Sequence, residues 1–420
     1  MPLFSFIHIS DLHLDSPFST IHQNNPDLAH TLRAATFEAF HNIIEIGIEK
    51  KIDFLLIAGD VYDGADRSLR AQIKFRDGLR KLDEAGIHSY IVHGNHDPLD
   101  KWSSRLEWPS RVHIFSDKIE TMDAIKDGHL LARIQGISYA TKNETRNLAR
   151  LFKRTSSAFH IGLLHANAGN DTGHEPYAPC TLNDLIRSEM DFWALGHVHR
   201  RNLLSSDHPV ILYPGNTQGR NIRETGEKGG YWIKVHEDNE VEMEFFEADV
   251  VRWVVHEIPI NPMRTEQDLV EALDKACLDL SQSQSGRPSI VRILLTGNGP
   301  MYGYLSDPNN LAGLHETIVE MGADHSPPVW IDRIKLNAGP QWDLNMLINQ
   351  QDFIGELLRY SRELYEAPDL HSRFQKDLAI LFGNTRARRY LGIPDDRKLR
   401  SLLKKAEKMC LQVLCNENTQ

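Results

Sequence analysis

The chain of 420 residues has little cysteine and no long apolar run. Its four cysteines lie far apart, without the spacing of a zinc site or a disulfide framework, so we expect reduced thiols in a cytoplasmic protein. No apolar stretch approaches the roughly 18 residues that a membrane helix needs. No basic segment precedes the first apolar residues, as it would in a secretory signal peptide. We therefore expect neither a membrane anchor nor a leader.

The charge is acidic overall but unevenly distributed. The net charge is −11, whereas residues 386–408 carry nine Lys or Arg residues and only three acidic ones. Bound metal ions would neutralise part of an acidic excess, so this balance does not exclude a phosphate-rich substrate. The basic segment is expected to contact either a protein partner or DNA phosphates.

Five short apolar runs each end beside polar residues of the kinds that bind metals. Three of them lead into D-L-H at 11–13, G-D at 59–60 and G-N-H-D at 94–97, and two lead into His165 and G-H-V-H at 196–199. Such runs are typical of buried strands. Because ligands on neighbouring strand ends converge at the edge of an α/β sheet, we expect one site at one sheet edge.

The ligand types indicate two divalent metal ions. Carboxylate and amide oxygens mixed with imidazoles suit Mn²⁺, Fe²⁺ or Zn²⁺, and the lack of thiolates argues against structural zinc. Two ions about 3.5–4 Å apart can share a bridging hydroxide and clamp a phosphoryl group. The expected ligands are Asp11, His13 and His199 for the first ion, Asn95, His165 and His197 for the second, and Asp60 as the bridge.

His96 is the histidine of these clusters that the two ligand sets leave unassigned. A cationic imidazole beside Asn95 could stabilise charge on the phosphoryl group or protonate the leaving oxygen. We expect Asp97 to orient it and to raise its pKa. The alternative is that His96 only supports its neighbours through hydrogen bonds.

The spacing of apolar residues predicts an α/β layered core. Helices are predicted over 31–50, 68–86 and 181–190, alternating with the strands that precede the ligand clusters. Residues 210–256 switch to short β-type runs, which predict antiparallel strands completing a second sheet. The predicted domains are a phosphoesterase core over 1–257, a small α/β cap over 258–339 and a helical region over 340–420. The last region is predicted to contain helices over 344–364, 370–382 and 398–414.

The quoted motifs resemble the calcineurin-like metallophosphoesterase superfamily, whose fold is a two-sheet β-sandwich flanked by helices. H-I-S-D-L-H-L at 8–14 and A-G-D-V-Y-D at 58–63 look most like the SbcD group of DNA repair exonucleases. Residues 15–18, 174–179 and 214–220 resemble its YhaO branch more specifically. The resemblance covers residues 1 to about 250 in motifs and the remainder in organisation only.

The resemblance implies further properties. Manganese is the usual ion of the group, and Asn95 and Arg220 are expected to contact the substrate. Two positions depart from the pattern: Asp63 stands where archaeal and eukaryotic relatives carry a histidine, and Asn221 where YhaO-type relatives would.

The resemblance also implies an SMC-like coiled-coil ATPase as partner, bound through the carboxy-terminal helices. Leu399, Leu402, Leu403 and Ala406 form an apolar stripe suited to that role. The alternatives are a basic helix that packs on its own domain and a homodimer.

Three functions remain open on the sequence. The first is a metal-dependent DNA exonuclease or endonuclease that uses a dimetal-activated hydroxide in DNA repair. The second is a small-molecule phosphodiesterase or phosphatase on the same site, which the acidic net charge of −11 favours. The third is a scaffold subunit of the ATPase complex with a largely silent site, against which the complete ligand set argues.

Overall fold

The computed structural model describes residues 3–18, 26–63, 68–100, 106–169, 175, 177–370, 372–374 and 395–417. The strands are β1 (Phe4–Ile9), β2 (Phe54–Ala58), β3 (His88–Val92), β4 (Val112–Ile114), β5 (Glu120–Lys126), β6 (His129–Ile137), β7 (His160–His165), β8 (Phe192–Gly196), β9 (Asn202–Ser205), β10 (Val210–Tyr213), β11 (Gly229–Val235), β12 (Val241–Glu247), β13 (Arg252–Pro259), β14 (Ser289–Asn298) and β15 (Val329–Gly339). The helices are α1 (Pro26–Lys50), α2 (Leu69–Glu84), α3 (Leu182–Arg187), α4 (Glu266–Ser283), α5 (Tyr302–Ser306), α6 (Pro308–Ala323), α7 (Leu344–Ile348), α8 (Phe353–Glu366) and α9 (Asp396–Glu417), with a 3₁₀ turn at Leu148–Leu151.

Two mixed six-stranded sheets form the core. The first has the order β12-β11-β1-β2-β3-β4 and the second the order β5-β6-β7-β8-β10-β9. Strands β1 to β4 are parallel to one another in the first sheet, as are β6, β7, β8 and β10 in the second. Antiparallel strands complete both sheets. This arrangement confirms the predicted two-sheet fold flanked by helices.

The two sheets pack face to face through a buried apolar layer. Aromatic rings of Phe6 and Phe54 stack in the first sheet, and Phe192 of the second meets Phe6 edge to face at 5.3 Å. Helices α1 and α2 cover the outer face of the first sheet, while α3 and the 3₁₀ turn cover that of the second. Apolar residues therefore line both faces of the central strands, which is why these strands are continuous apolar runs.

The structure corrects two parts of the secondary-structure prediction. Strands β11 and β12 join the first sheet beside β1 and not the second sheet, while β13 belongs to a third sheet with the order β13-β14-β15. The predicted helix over 344–364 is two helices, α7 and α8, because the Asp352 side chain accepts a hydrogen bond from Gly355 N and caps a new helix. Strands β4, β5 and β6 were not predicted.

Other predictions lie close to the observed elements. Helix α2 begins after Ser68, whose hydroxyl accepts a hydrogen bond from Ala71 N at 3.0 Å. The predicted helix over 370–382 falls largely outside the described residues, as do Arg386, Arg388 and Arg389 of the basic segment.

Cys180, Cys277 and Cys410 are free thiols. In the described parts of the chain, no helix combines the length and the apolar character needed to cross a bilayer.

The chain divides into two compact units. The first comprises Met1–Val255, Cys277–Arg292 and Gly322–Asp332, and the second comprises His256–Ala276, Ile293–Met321 and Arg333–Gln420. Parts of α4, β14 and β15 thus belong to the same unit as the two large sheets. The three predicted domains at 1–257, 258–339 and 340–420 remain predictions.

We predict that Gly162→Ala destabilises the second sheet. A Cβ on Gly162 in β7 would lie 2.5 Å from Cε3 of Trp193, which is fully buried on β8. Overpacking of this kind costs about 1–3 kcal/mol in the free energy of unfolding, measurable by urea denaturation. Combining it with Trp193→Leu should cost less than the two single changes together, because the smaller side chain removes the collision. Strict additivity would contradict the packing described here.

Candidate metal centre

The predicted ligands follow strands of both large sheets. Asp11 and His13 follow β1, Asp60 follows β2 and Asn95 follows β3, all in the first sheet. His165 ends β7, and His197 and His199 follow β8, both in the second sheet. The site is therefore built where the carboxyl edges of two sheets meet and not, as predicted, at the edge of one sheet.

Glycine allows the two edges to approach. A Cβ at Gly94, which follows β3 of the first sheet, would lie 2.7 Å from the ring of His165 in the second sheet. A Cβ at Gly196 in the second sheet would collide with the carbonyl oxygen of Ala58 in the first. The backbone of the first loops is also paired directly, since Asp11 N donates to Gly59 O and His13 N donates to Asp60 O, both at 3.0 Å. These contacts fix the ligand-bearing loops against one another.

Four ligand residues have a left-handed backbone. The φ angles are 53° at Asp11, 45° at His13, 50° at Asp60 and 101° at His197. Non-glycine residues rarely adopt this region, and such strain clusters at functional sites because the surrounding packing must hold it. Among the described residues, four of the twelve non-glycine positions with a positive φ are predicted ligands.

One group of ligand atoms surrounds the Nε2 atoms of His13 and His199, which lie 3.2 Å apart. His199 Nε2 is also 3.7 Å from Asp11 Oδ1, and His13 Nε2 is 3.8 Å from Asp60 Oδ2. Two nitrogens that bind one ion at about 2.1 Å lie roughly 3–3.5 Å apart. The facing imidazoles therefore have the separation that a shared cation requires.

A second group surrounds His165. Its Nε2 lies 3.0 Å from Asn95 Oδ1 and 3.4 Å from Asp60 Oδ2. The same Asp60 oxygen thus lies near both His13 and His165, which is the position of a bridging carboxylate. The structure brings together six of the seven predicted ligands in these two groups.

His197 is the predicted ligand that lies outside these two groups. Its ring is 5.3 Å from the ring of His165, but its Nε2 lies 2.9 Å from the carbonyl oxygen of Glu175. Its backbone N–H donates to the Asp11 carboxylate at 3.1 Å. To bind an ion, His197 Nε2 would have to give up its contact with the carbonyl oxygen of Glu175.

The donor set fits divalent cations. Buried carboxylates, an amide oxygen and imidazoles are the ligands preferred by Mn²⁺, Fe²⁺ and Zn²⁺ in open sites. The ring nitrogens on the far side of the ligands are also held: His165 Nδ1 lies 2.9 Å from Ala58 O, and His199 Nδ1 lies 2.9 Å from Glu224 Oε1. Such partners fix the orientation of metal-binding imidazoles.

Burial and charge shift the pKa values in the centre. Burial would raise the pKa of Asp60, but His165 and His13 hold it well below its usual value. Burial would lower the pKa of His165, but the charge of Asp60 raises it to about 9. Burial lowers the pKa of His13 and His197 to about 4. A ligating imidazole must be neutral, so a cation would take the place of the proton that His165 shares with Asp60.

His96 has a different carboxylate partner from the predicted one. Its Nδ1 lies 3.1 Å from Asp63 Oδ1, and its backbone N–H donates to Asp60 Oδ1 at 2.9 Å. Asp97 instead lies 2.9 Å from His93 Nδ1 and accepts hydrogen bonds from the backbone of Gly94 and Val61. Burial would lower the pKa of His96, but the hydrogen bond to Asp63 raises it. Asp63 therefore replaces Asp97 as the residue that orients His96.

Asp63 also contacts Arg220, the residue expected to bind substrate. Arg220 Nη1 donates to Asp63 Oδ2 at 3.0 Å, and the hydroxyl of Ser16 donates to the same oxygen at 2.6 Å. Asp63 Oδ1 further lies 3.5 Å from Nδ1 of His13. One carboxylate thus joins His96, His13 and Arg220.

Two residues of the site escaped the sequence prediction. Asp63 carried a signal, because it follows Asp60 of the G-D pair by three residues. Glu224 carried none, since its role depends on a loop that brings it to His199, Asn216 and the backbone of Arg220.

We predict that Asp60→Ala loses both ions, whereas His165→Ala loses one of the two. Asp60 lies near both ligand groups, and His165 lies in one of them. Metal content after dialysis against Mn²⁺ can be measured by mass spectrometry. Asp63→Asn is the matched control and should keep both ions, because Asp63 faces Nδ1 and not Nε2 of His13. Full metal content in Asp60→Ala would contradict the bridging assignment.

Comparison with known proteins agrees with this geometry. Residues 4–201 match the calcineurin-like phosphoesterase family model, and residues 253–339 match the middle domain of metallophosphoesterase YhaO. The chain is 36% identical to metallophosphoesterase YhaO of Bacillus subtilis over 355 residues, which cover 84% of this chain and 86% of that protein. It is 26% identical over 210 residues to the DNA double-strand break repair protein Mre11 of Sulfurisphaera tokodaii, covering 49% of this chain and 51% of that protein.

A solved structure is also similar, at a lower level. The crystal structure of a dimetal phosphatase from Danio rerio matches 59% of this chain and 97% of that chain, with 13% identity and a TM-score of 0.36. The 36% identity to YhaO over 84% of this chain, together with the two matched family models, establishes the family. The chain belongs to the calcineurin-like metallophosphoesterases, in the group that carries a YhaO-type middle domain.

Proposed function

We propose that the protein is a metal-dependent nuclease that hydrolyses phosphodiester bonds in DNA. The observation that carries the proposal is the pair of ligand groups joined by Asp60, with His96 and Arg220 beside them through Asp63. DNA as the substrate is supported by the likeness to the archaeal DNA double-strand break repair proteins Mre11. These matches span about half to two thirds of the archaeal proteins.

The chain's own residues supply orientation and a proton. Two divalent ions, when bound, would neutralise charge on a phosphoryl group and lower the pKa of water, and we propose manganese in this role. His96, whose side chain is one-third exposed, can donate a proton to the leaving oxygen while Asp63 holds its Nδ1. Asn95 offers an amide with both an acceptor and a donor, so it can serve the ion and the substrate together.

A small-molecule phosphodiesterase or phosphatase is the second candidate. The observation in its favour is the net charge of −11, because most of the chain would repel a long polyanion. The third candidate, a scaffold with a silent site, has less support, since six of the seven expected ligands lie together in two groups. The free thiols suit a reducing compartment, and we propose the cytoplasm.

One assay separates these candidates. Purified protein with Mn²⁺ is given linear DNA and, in parallel, a chromogenic phosphodiester and a phosphomonoester. The nuclease proposal predicts DNA degradation that His13→Ala and Asp60→Ala both abolish. Turnover of the small esters alone would support the second candidate, and bound metal without any turnover would support the scaffold.

We predict that His96→Ala lowers turnover while metal content stays unchanged. Loss of a general acid typically lowers the rate by about 100- to 10,000-fold. His113→Ala is the matched control, because this histidine pairs with Glu120 at 2.9 Å away from the ligand groups. The kcat of the control should equal that of the native protein. Loss of metal from His96→Ala would contradict the catalytic role and make His96 a ligand.

We further propose that helix α9 binds an SMC-like coiled-coil ATPase. Three apolar side chains, Leu402, Met409 and Val413, are 48%, 66% and 60% exposed, and their spacing of seven and four residues places them on one helix face. Leu399 and Leu403 of the predicted stripe pack instead within the chain, against Leu364 and Leu370. The opposite face carries Leu411, which packs against α8. The exposed face has the spacing that a coiled coil would continue.

Leu402→Glu combined with Met409→Glu is expected to abolish capture of such an ATPase and leave hydrolysis of small esters intact. Leu203→Glu is the matched control, since Leu203 is 44% exposed on β9. Binding can be measured by co-purification, and chain mass by light scattering tests the homodimer alternative. A variant that binds the ATPase as well as the native chain would refute this surface. A native dimer that the double change dissociates would assign the surface to self-association.

A further inference from the structure

A cavity of about 440 Å³ opens beside the metal centre. We call it the side cavity. Its walls are formed by Ser16, Pro17, Phe18, Asp63, Arg220, Asn221, Ile222, Trp253, Arg292 and Asp332. All ten residues belong to the first compact unit, so the cavity is part of one body. Its volume is in the range of roughly 300–1,000 Å³ that small-molecule sites have.

The inner wall of the side cavity is shared with the metal centre. Asp63 Oδ1 faces His96 and His13, while Asp63 Oδ2 accepts the hydrogen bond from Arg220 Nη1 at 3.0 Å. Arg220 and Asp63 are only partly exposed, at 17% and 20%. A phosphoryl group held at the ligand groups would therefore have one of its ester substituents directed along this wall.

The floor of the side cavity is apolar and firmly packed. Phe18 and Trp253 are buried in one cluster with Ala29 and Leu32 of α1, and Ile222 packs against that cluster. Trp253 Nε1 donates to Gly219 O at 3.0 Å, which ties the loop carrying Arg220 to β13. Aromatic and aliphatic surface beside a phosphate site suits a flat ring system.

The outer wall carries a donor and an acceptor side by side. Arg292 on β14 donates through Nε and Nη2 to the same oxygen, Oδ2 of Asp332 on β15, at 2.8 and 2.6 Å. Within the described residues, Arg292 Nη1 and Asp332 Oδ1 make no hydrogen bond. The pair is about three-quarters buried, with side chains 22% and 25% exposed. Arginine and aspartate in such positions bind the edges of nucleobases.

The charges of the walls cancel. The side cavity is lined by two arginines and two aspartates, so it offers no net attraction for a further phosphate. A neutral group with an apolar face and a polar edge matches the walls better than an anion does. A nucleoside has both features.

We propose that the side cavity is a nucleoside subsite, which receives the sugar and base attached to the phosphate held at the metal centre. This inference rests on the proposed hydrolysis of nucleic acid and names the part of the strand that the site recognises. A base that enters the cavity must leave its stack and its partner strand, at a cost of a few kcal/mol that is smallest at frayed or single-stranded ends. The subsite therefore favours the end of a strand over the interior of a duplex.

The test compares two esters with the same leaving group. Native protein with Mn²⁺ is given the p-nitrophenyl ester of thymidine 5′-phosphate and bis(p-nitrophenyl) phosphate. The proposal expects a higher kcat/KM for the thymidine ester. Arg292→Ala should lower the ratio of the two kcat/KM values by about 5- to 150-fold, the range that roughly 1–3 kcal/mol of base recognition gives. Arg333→Ala is the matched control, because this exposed arginine is next to Asp332 on the same strand and lines no part of the cavity.

A second variant distinguishes loss of base recognition from a folding defect in Arg292→Ala. Ile222→Trp keeps an apolar residue at the wall but fills the cavity, and it should lower the same ratio. Binding of thymidine 5′-monophosphate to the Mn²⁺-loaded protein, followed by calorimetry, gives a readout that needs no turnover. Arg292→Ala and Ile222→Trp should both weaken this binding, while Arg333→Ala should not.

The outcomes separate this inference from the proposed function. Equal kcat/KM ratios in the native protein, Arg292→Ala and Ile222→Trp would overturn the nucleoside subsite, even if DNA is degraded. Thymidine monophosphate that binds no better than inorganic phosphate would overturn it as well. Conversely, a protein that binds the nucleotide in the predicted way but leaves DNA intact would overturn the nuclease proposal and keep the subsite.

Discussion

The site depends on one buried carboxylate. Asp60 is 1% exposed, and a carboxylate in such surroundings is stable only if neighbouring groups compensate its charge. His13 and His165 approach one of its oxygens from two different sheets, and the backbone N–H of His96 binds the other. Compensating groups reach Asp60 because the two sheet edges lie close together. Glycines permit this approach, and the paired loops hold it. Two cations would complete the same compensation.

The sequence predicted the position of the site because its signal is local. Each ligand cluster follows a buried strand, and buried parallel strands are apolar runs that can be read along the chain. The assignment of strands to sheets was not local: β11 pairs with β1 at a separation of more than 200 residues, and nothing in its composition distinguishes a second sheet from the first. For the same reason the prediction placed all ligands at one sheet edge, when they come from two.

Side-chain partners were the least predictable part of the site. Asp97 is next to His96 in sequence, yet its carboxylate turns to His93 and to two backbone N–H groups. Asp63 reaches His96 from another loop, and Glu224 reaches His199 in the same way. Neighbours in sequence on a tight loop point in different directions, so adjacency did not predict contact. The helix predicted over 398–414 corresponds to α9, but which of its apolar residues face outward depends on the packing against other helices.

The left-handed backbone at Asp11, His13, Asp60 and His197 bears on how the centre acquires its ions. Each such residue costs roughly 1–3 kcal/mol, and the packed strands behind the loops must supply this free energy. The ligand cage is consequently preorganised, so an arriving ion does not have to use its binding energy to order the three loops that carry these residues. A cage of fixed dimensions also discriminates among cations by their size and coordination geometry. A flexible cage would instead bind cations in the order of their intrinsic affinities for its ligands.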